Sequence, residues 1–185
     1  NDGLYGHYGY NTFDVTSETW NTTIFPEDPV YGVADYYKYG VTYMVDFDRS
    51  GDGATAAQRA NYNVLGRNAA DFGGSWTSDQ GLGANEALIA GGDSGGGDFV
   101  WNGSEWVLSA VHSWGWNNPC SFFSYSNCTG LNGNSASYGD LSGSTATFSH
   151  AAWINGIVNA VPVPEPESYA LMLAGLGLVT ALARR

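Results

Sequence analysis

One stretch of the chain carries the residue types for nucleophilic chemistry: Gly91-Gly92-Asp93-Ser94-Gly95-Gly96-Gly97. A serine between glycines sits on a tight turn with its hydroxyl projecting, and the glycines let successive backbone N–H groups point at one spot. Donors aimed at a developing oxyanion are each worth about 2.7–4 kcal/mol of barrier. A serine hydroxyl is a poor nucleophile without a base, and the base needs an orienting acid. Histidines are few: His7 lies before Ser94, while His112 and His150 lie after it. His7, within Tyr5-Gly6-His7-Tyr8-Gly9, reads as an exposed strand residue, and His150 reads as structural.

The order of the elements downstream of Ser94 adds specificity. Gly92-Asp93-Ser94-Gly95-Gly96 precedes a hairpin, then Val111-His112-Ser113-Trp114-Gly115, then Tyr138-Gly139-Asp140 and a helix bearing Trp153-Ile154. In that order these elements resemble the C-terminal half of trypsin/chymotrypsin-like serine proteases, closely over residues 85–158 and loosely over 1–84. The resemblance implies that Ser94 is the acylating nucleophile and that the N–H groups of Gly92 and Ser94 form the oxyanion hole. It makes Asp93 the buried carboxylate supporting that loop. Ser113, Trp114 and Gly115 become the strand that binds substrate backbone and walls the specificity pocket. Leu88 falls at the pocket floor, favouring apolar side chains over Lys or Arg. His112, one residue before Ser113, is expected to be an ordinary strand residue.

Departures from the family pattern shape the functional expectation. In that family the triad His and Asp precede the serine, in the first of two barrels, and His7 lacks the Ala-Ala-His signature. Gly97 stands where a proline usually follows, and Ala90 stands where a cysteine is usual. The resemblance therefore implies the second barrel of an exported serine endopeptidase acting on a peptide or protein substrate. The chain would be N-terminally truncated, lacking the triad His and Asp, and inactive alone. The alternative is a non-catalytic, surface-associated barrel binding peptide or polysaccharide through Trp114, Trp116 and the Cys120–Cys128 loop. The chain begins at Asn1 without a Met or an apolar leader, which fits either a removed leader or truncation.

The elements that must position these residues read as short strands. With 26 Gly, 12 Tyr and only 13% charged residues, the composition of the 185-residue chain is that of a β-rich, turn-rich protein. Val41–Phe47 alternates as a strand, and Asn61–Gly66 and Glu86–Ala90 read as short ones. Asp98–Trp101 and Trp106–Trp114 form a hairpin about Asn102-Gly103, Ser144–Phe148 is the last strand, and His150–Val158 is a terminal helix. The expected fold class is all-β: an antiparallel β-barrel of the chymotrypsin type, the second of two, with a C-terminal helix and a short hydrophobic tail helix. Most tryptophans are expected in its core, with Trp116 exposed.

A net charge of −12 argues against nucleic-acid partners. Cys120 and Cys128 lack further ligands at zinc spacing and read as a disulfide closing a short loop, in keeping with an oxidising compartment. Asp46, Asp48, Ser50 and Asp52 resemble the start of a calcium loop. The Glu that such a loop needs at its twelfth position is absent, so an acidic turn and no metal are expected. No cofactor is expected either.

Residues 161–185 differ from residues 1–160, the globular part. Pro162, Pro164 and Pro166 suit an extended spacer, Tyr169 to Ala183 carries no charge, and Arg184-Arg185 ends the chain. The apolar run is shorter than the about 17–25 residues of a usual span, leaving a minimal membrane helix as the expectation. Val163-Pro164-Glu165-Pro166, the apolar helix and the basic end together resemble a PEP-CTERM sorting signal. This implies export in a Gram-negative bacterium, transient anchoring in the membrane through the tail, and processing by an exosortase-type enzyme. The destination would be the cell surface, the extracellular matrix or the medium.

Overall fold

Asn102 organises a hairpin at one edge of the fold. Its side-chain oxygen accepts from the N–H groups of Ser104 (2.9 Å) and Glu105 (3.0 Å), and Gly103 takes the positive φ of 103° that this turn requires. In the computed structural model, which describes residues 8–27, 41–51, 53–128, 136–160 and 166–183, the turn joins β3 (Gly97–Trp101) to β4 (Trp106–Trp116). With β1 (Val15–Thr16), β2 (Thr42–Asp46) and β5 (Leu141–Ala146) they form a five-stranded antiparallel sheet of order β1-β2-β5-β4-β3. Among the described residues β1 and β3 are its edges.

The all-β expectation gives way here, because helices hold more residues than strands. Asn61–Gly66, read as a strand, is instead the junction of α2 (Ala56–Tyr62) and α3 (Val64–Phe72). Thr55 and Gln58 close a capping box on α2, and the Asn63 side chain caps α3 by accepting from Gly66 N–H at 2.6 Å. These local hydrogen bonds satisfy helix N-termini, which an apolar-alternation reading does not register. Glu86–Ala90 is not a strand either; it follows a 3-10 turn at Gly83–Asn85 and touches Tyr10 only through an isolated bridge. The last strand ends at Ala146, with Thr147–His150 in a 3-10 turn.

α1 (Ser17–Ile24) is capped by the Thr16 hydroxyl and buries Trp20 and Ile24, four residues apart on one face. They pack with Met44 of β2, Val64 and Leu65 of α3, and Leu141 of β5. Trp116, expected to be exposed, is packed against this core, edge-on to Trp20 with ring centroids 6.0 Å apart. Trp101 and Trp106 are exposed instead. Asn68 is fully buried, accepting from Trp20 Nε1 at 2.9 Å and donating to the Tyr125 hydroxyl at 3.0 Å.

Cys120, in the short helix α4 (Pro119–Phe122), and Cys128 are joined in a disulfide with Cα atoms 5.6 Å apart. Both are buried, and a side chain at Gly139 would collide with the sulfurs. Replacing both cysteines by serine is expected to cost about 2.5 kcal/mol through the loop entropy returned to the unfolded chain. Urea unfolding of the double variant, read against wild type, measures it.

The chain divides into two compact units, Asn1–Ala151 and Ala152–Arg185. The second contains helices α5 (Ala151–Val158), whose first residue closes the first unit, and α6 (Pro166–Ala183). Among the described residues no helix is long and apolar enough to cross a membrane, so the expected minimal span is not found.

Candidate functional site

The Ser94 loop is shaped by its glycines and tied to β4. Gly92 and Gly95 hold positive φ angles of 109° and 84°. Gly95 N–H donates to His112 O at 3.1 Å, and His112 N–H donates to Gly96 O at 2.8 Å. Within the loop, Asp93 N–H donates to Ala90 O at 3.1 Å and Gly96 N–H donates to Asp93 O at 2.9 Å. The N–H groups of Gly92 and Ser94 enter none of the backbone hydrogen bonds among the described residues.

Opposite the loop, β4 carries a bulge. His112 pairs with Ser144 and Trp114 with Gly143, so Ser113 is the extra residue. A bulge re-aims a side chain that regular pleating would send elsewhere. Here Ser113 lines an open groove of about 410 Å³ together with Ser94, Trp114 and Gly115. Ile89, Ala90, Gly91, Asn117 and Ala136 form the rest of its wall, and no charged side chain is among them. The Trp114 ring lies against Gly143, where any Cβ would overlap the indole.

The structure thus gathers Ser94, Ser113, Trp114 and Gly115 around one groove but separates other expected members. Leu88 is not among the lining residues; its neighbours Ile89 and Ala90 are. Asp93 is exposed rather than buried, and its carboxylate folds back to accept from Ala90 N–H at 2.9 Å. The short turn places the Asp93 side chain over its own backbone, so it does not reach the interior. His7 and the sorting residues Val163, Pro164 and Glu165 lie outside the described residues, and Pro166 opens α6.

His112 is more than an ordinary strand residue. Its Nδ1 lies 3.1 Å from Asp93 O and its Nε2 3.0 Å from Asp98 Oδ1, an ion pair across the hairpin when the ring is protonated. Both ring nitrogens therefore face oxygens of the loop and of β3, and among the described residues no hydrogen bond joins either of them to Ser94. Asp98 escaped the sequence reading because only the β3–β4 register brings it beside His112.

A second concentration of ionisable groups lies away from the groove. Asp46 and Asp48, at and just beyond the end of β2, are each only 2% exposed. Burial holds the Asp46 carboxyl well above the usual carboxylate range, with Asp48 and Asp14 adding like charge. Burial raises Asp14 to about 7 and Asp48 to about 8, the latter helped by Glu86 and Asp79. Glu86 is also raised by burial, although it accepts hydrogen bonds from Asp48 N–H (2.6 Å), Leu82 N–H (2.8 Å) and the Ser50 hydroxyl (3.2 Å). The Asp46-Asp48-Ser50 pattern hinted at this cluster; Asp14, Asp79 and Glu86 join it only through the fold.

A family model, the PEP-CTERM protein-sorting motif, matches residues 162–185. That motif implies export, sorting to the cell envelope and processing by an exosortase-type enzyme. Neither a curated protein nor a solved structure matches the chain.

Proposed function

We propose that the chain is the nucleophile-bearing part of an exported serine endopeptidase of the trypsin/chymotrypsin type, from a Gram-negative bacterium. One observation carries this reading: Ser94 shares a groove with Ser113, Trp114 and Gly115 while the Gly92 and Ser94 N–H groups remain unengaged by backbone. In the proposed reaction the Ser94 oxygen attacks a peptide carbonyl and its proton passes to a base. The oxyanion is met by the two N–H groups, and the amine leaves to give an acyl-enzyme that water hydrolyses. The base and its orienting carboxylate come from residues outside those described, since the His112 ring nitrogens face Asp93 O and Asp98 Oδ1 and not Ser94. The uncharged groove wall favours an uncharged substrate side chain. The tail directs the exported protein to exosortase-type processing.

The engagement of His112 also favours a second reading, a protease-like surface protein that binds peptide or polysaccharide without cleaving it. A fluorophosphonate probe separates the two, because it reacts only with an activated serine. Complete native protein is expected to label, and Ser94→Ala to lose at least nine-tenths of the signal. Absence of labelling in the native protein overturns the peptidase reading.

A further inference from the structure

The residue before Ser94 is gripped by a side chain that the proposed reaction leaves unused. His112 of β4 meets the Ser94 loop through both its backbone and its ring. Its N–H donates to Gly96 O at 2.8 Å, and its carbonyl accepts from Gly95 N–H at 3.1 Å. The ring reaches further, setting Nδ1 3.1 Å from Asp93 O and Nε2 3.0 Å from Asp98 Oδ1. Gly96 leaves room for it, since a Cβ there would lie 2.7 Å from Nδ1. Asp93 O thus faces two partners, the ring and the Gly96 N–H at 2.9 Å.

The Asp93 carbonyl and the Ser94 N–H belong to one peptide group. That group is planar and trans, with no cis bond among the described residues, so the two point in opposite directions. Fixing Asp93 O therefore fixes the direction of the Ser94 N–H, one of the two donors proposed for the oxyanion. The ring nitrogens carry a further constraint. A carbonyl oxygen and a carboxylate oxygen only accept, whereas a neutral imidazole has a single N–H. Both contacts hold together only when the His112–Asp98 pair carries one proton more than a neutral imidazole beside a carboxylate. Among the described residues the titratable groups at the ring are Asp98 of β3 and Asp93, whose carboxylate turns away to Ala90 N–H. On β5 the cross-strand partner of His112 is Ser144, which carries no charge.

We propose that His112 is a positioning residue: sharing a proton with Asp98, its ring clips the Asp93–Ser94 peptide to the β3–β4 hairpin. The inference rests on the peptidase reading for its consequence alone, since the clip itself is a set of hydrogen bonds within the chain. While the pair keeps its proton, Nδ1–H donates to Asp93 O and the oxyanion donor is aligned. When the pair releases it as pH rises, the remaining proton stays on Nε2, because a carboxylate holds it more strongly than a carbonyl does. Nδ1 then turns a lone pair toward Asp93 O, and the loop is released. His112 acts on the reaction only through the peptide it orients. Asp98→Asn separates the charge of Asp98 from its shape. The amide offers Nε2 an N–H, so a neutral ring with its proton on Nδ1 satisfies both contacts, and the clip no longer depends on pH.

The test follows the 185-residue chain, labelled with heavy nitrogen, by nuclear magnetic resonance from about pH 5 to about pH 9. At the acid end the His112 ring is expected with Nδ1 protonated and Nε2 sharing a proton with Asp98, and Nδ1 is expected to lose its proton as pH rises. Exchange of the Gly96 amide, which donates to Asp93 O, is expected to quicken about tenfold beyond its intrinsic pH dependence over the same step. Asp98→Asn is expected to abolish that extra dependence. Asp14 and Asp48 also titrate in this window, but the substitution leaves them in place, so the difference between the two proteins isolates the pair. Three results overturn the proposal: Nδ1 bare at every pH, Gly96 exchange that ignores the titration of the ring, or the same pH dependence in Asp98→Asn. Should the variant fail to fold, the wild-type titration decides. Fluorophosphonate labelling of the complete native protein reads the consequence. Folded His112→Phe is expected to label about tenfold more slowly, and an equal rate overturns the positioning role. A wild type that never labels ends the peptidase reading and leaves the clip standing, whereas a failed titration ends the clip and leaves labelling at Ser94 untouched.

Discussion

The protein is expected to lose on the order of 5 kcal/mol of stability as pH rises from about 5 to about 9. The cause is burial, which lifts Asp14 to about 7 and Asp48 to about 8 from an unfolded value of 3.8. A carboxyl whose folded pKa is raised holds its proton in the folded state over a window where the unfolded chain has released it. Its contribution is therefore fully present below about 3.8 and is gone once pH has passed about 8. Raising the pH through this window forces charge into a site where two carboxylate oxygens have no partner. The slope is opposite to that of an ordinary salt-bridged carboxylate, which loses stability as pH falls. Urea unfolding at intervals across the window measures it. A flat or rising profile would show that the cluster is hydrated or already neutralised. Asp48→Asn, which cannot ionise, is expected to make the profile shallower, leaving the part due to Asp14.

Asp140→Ala is expected to cost about 3–5 kcal/mol and to weaken probe labelling at Ser94. Asp140 is 1% exposed and accepts from Asn118 N–H (2.7 Å), Ser137 N–H (2.8 Å) and the Asn117 side chain (3.1 Å). Truncation leaves these donors without their acceptor, beside a disulfide that packs on Gly139. Two of the segments it binds adjoin or form the groove wall, at Asn117 and Ala136. The carboxylate also holds Asn118 in its left-handed conformation, φ 59°, from which α4 begins. Asp140→Asn keeps the shape and part of the acceptor capacity, and its expected cost is about half as large. Urea unfolding measures the stability, and labelling measured well below the transition isolates the effect on the groove. An Asp140→Ala protein as stable as wild type would mean that the loops are held by other contacts.

Some features of this protein are local enough for the sequence to determine them. The hairpin about Asn102-Gly103 is one, because an Asn side chain and a glycine suffice to turn the chain. Strand β2 is another as an element, although its burial does not alternate: Met44, Val45 and Asp46 are buried in succession. The sorting motif is legible because it is contiguous and consists of three simple parts in order.

The helices after Thr55 are encoded just as locally, in Thr55-Gln58 and Asn63, yet capping side chains do not show in an apolar pattern. What only the tertiary structure decided depends on register and burial. The β3–β4 pairing puts Asp98 beside His112, so that the ring faces Asp98 and not Ser94. The β4 bulge turns Ser113 into the groove. Packing of the β2 end against the Asp79–Glu86 loop collects acids up to 72 positions apart, Asp14 to Glu86, into one partly buried cluster. A sequence lists its charges without the dielectric around them, and burial is what turns these ordinary aspartates into groups that hold their protons.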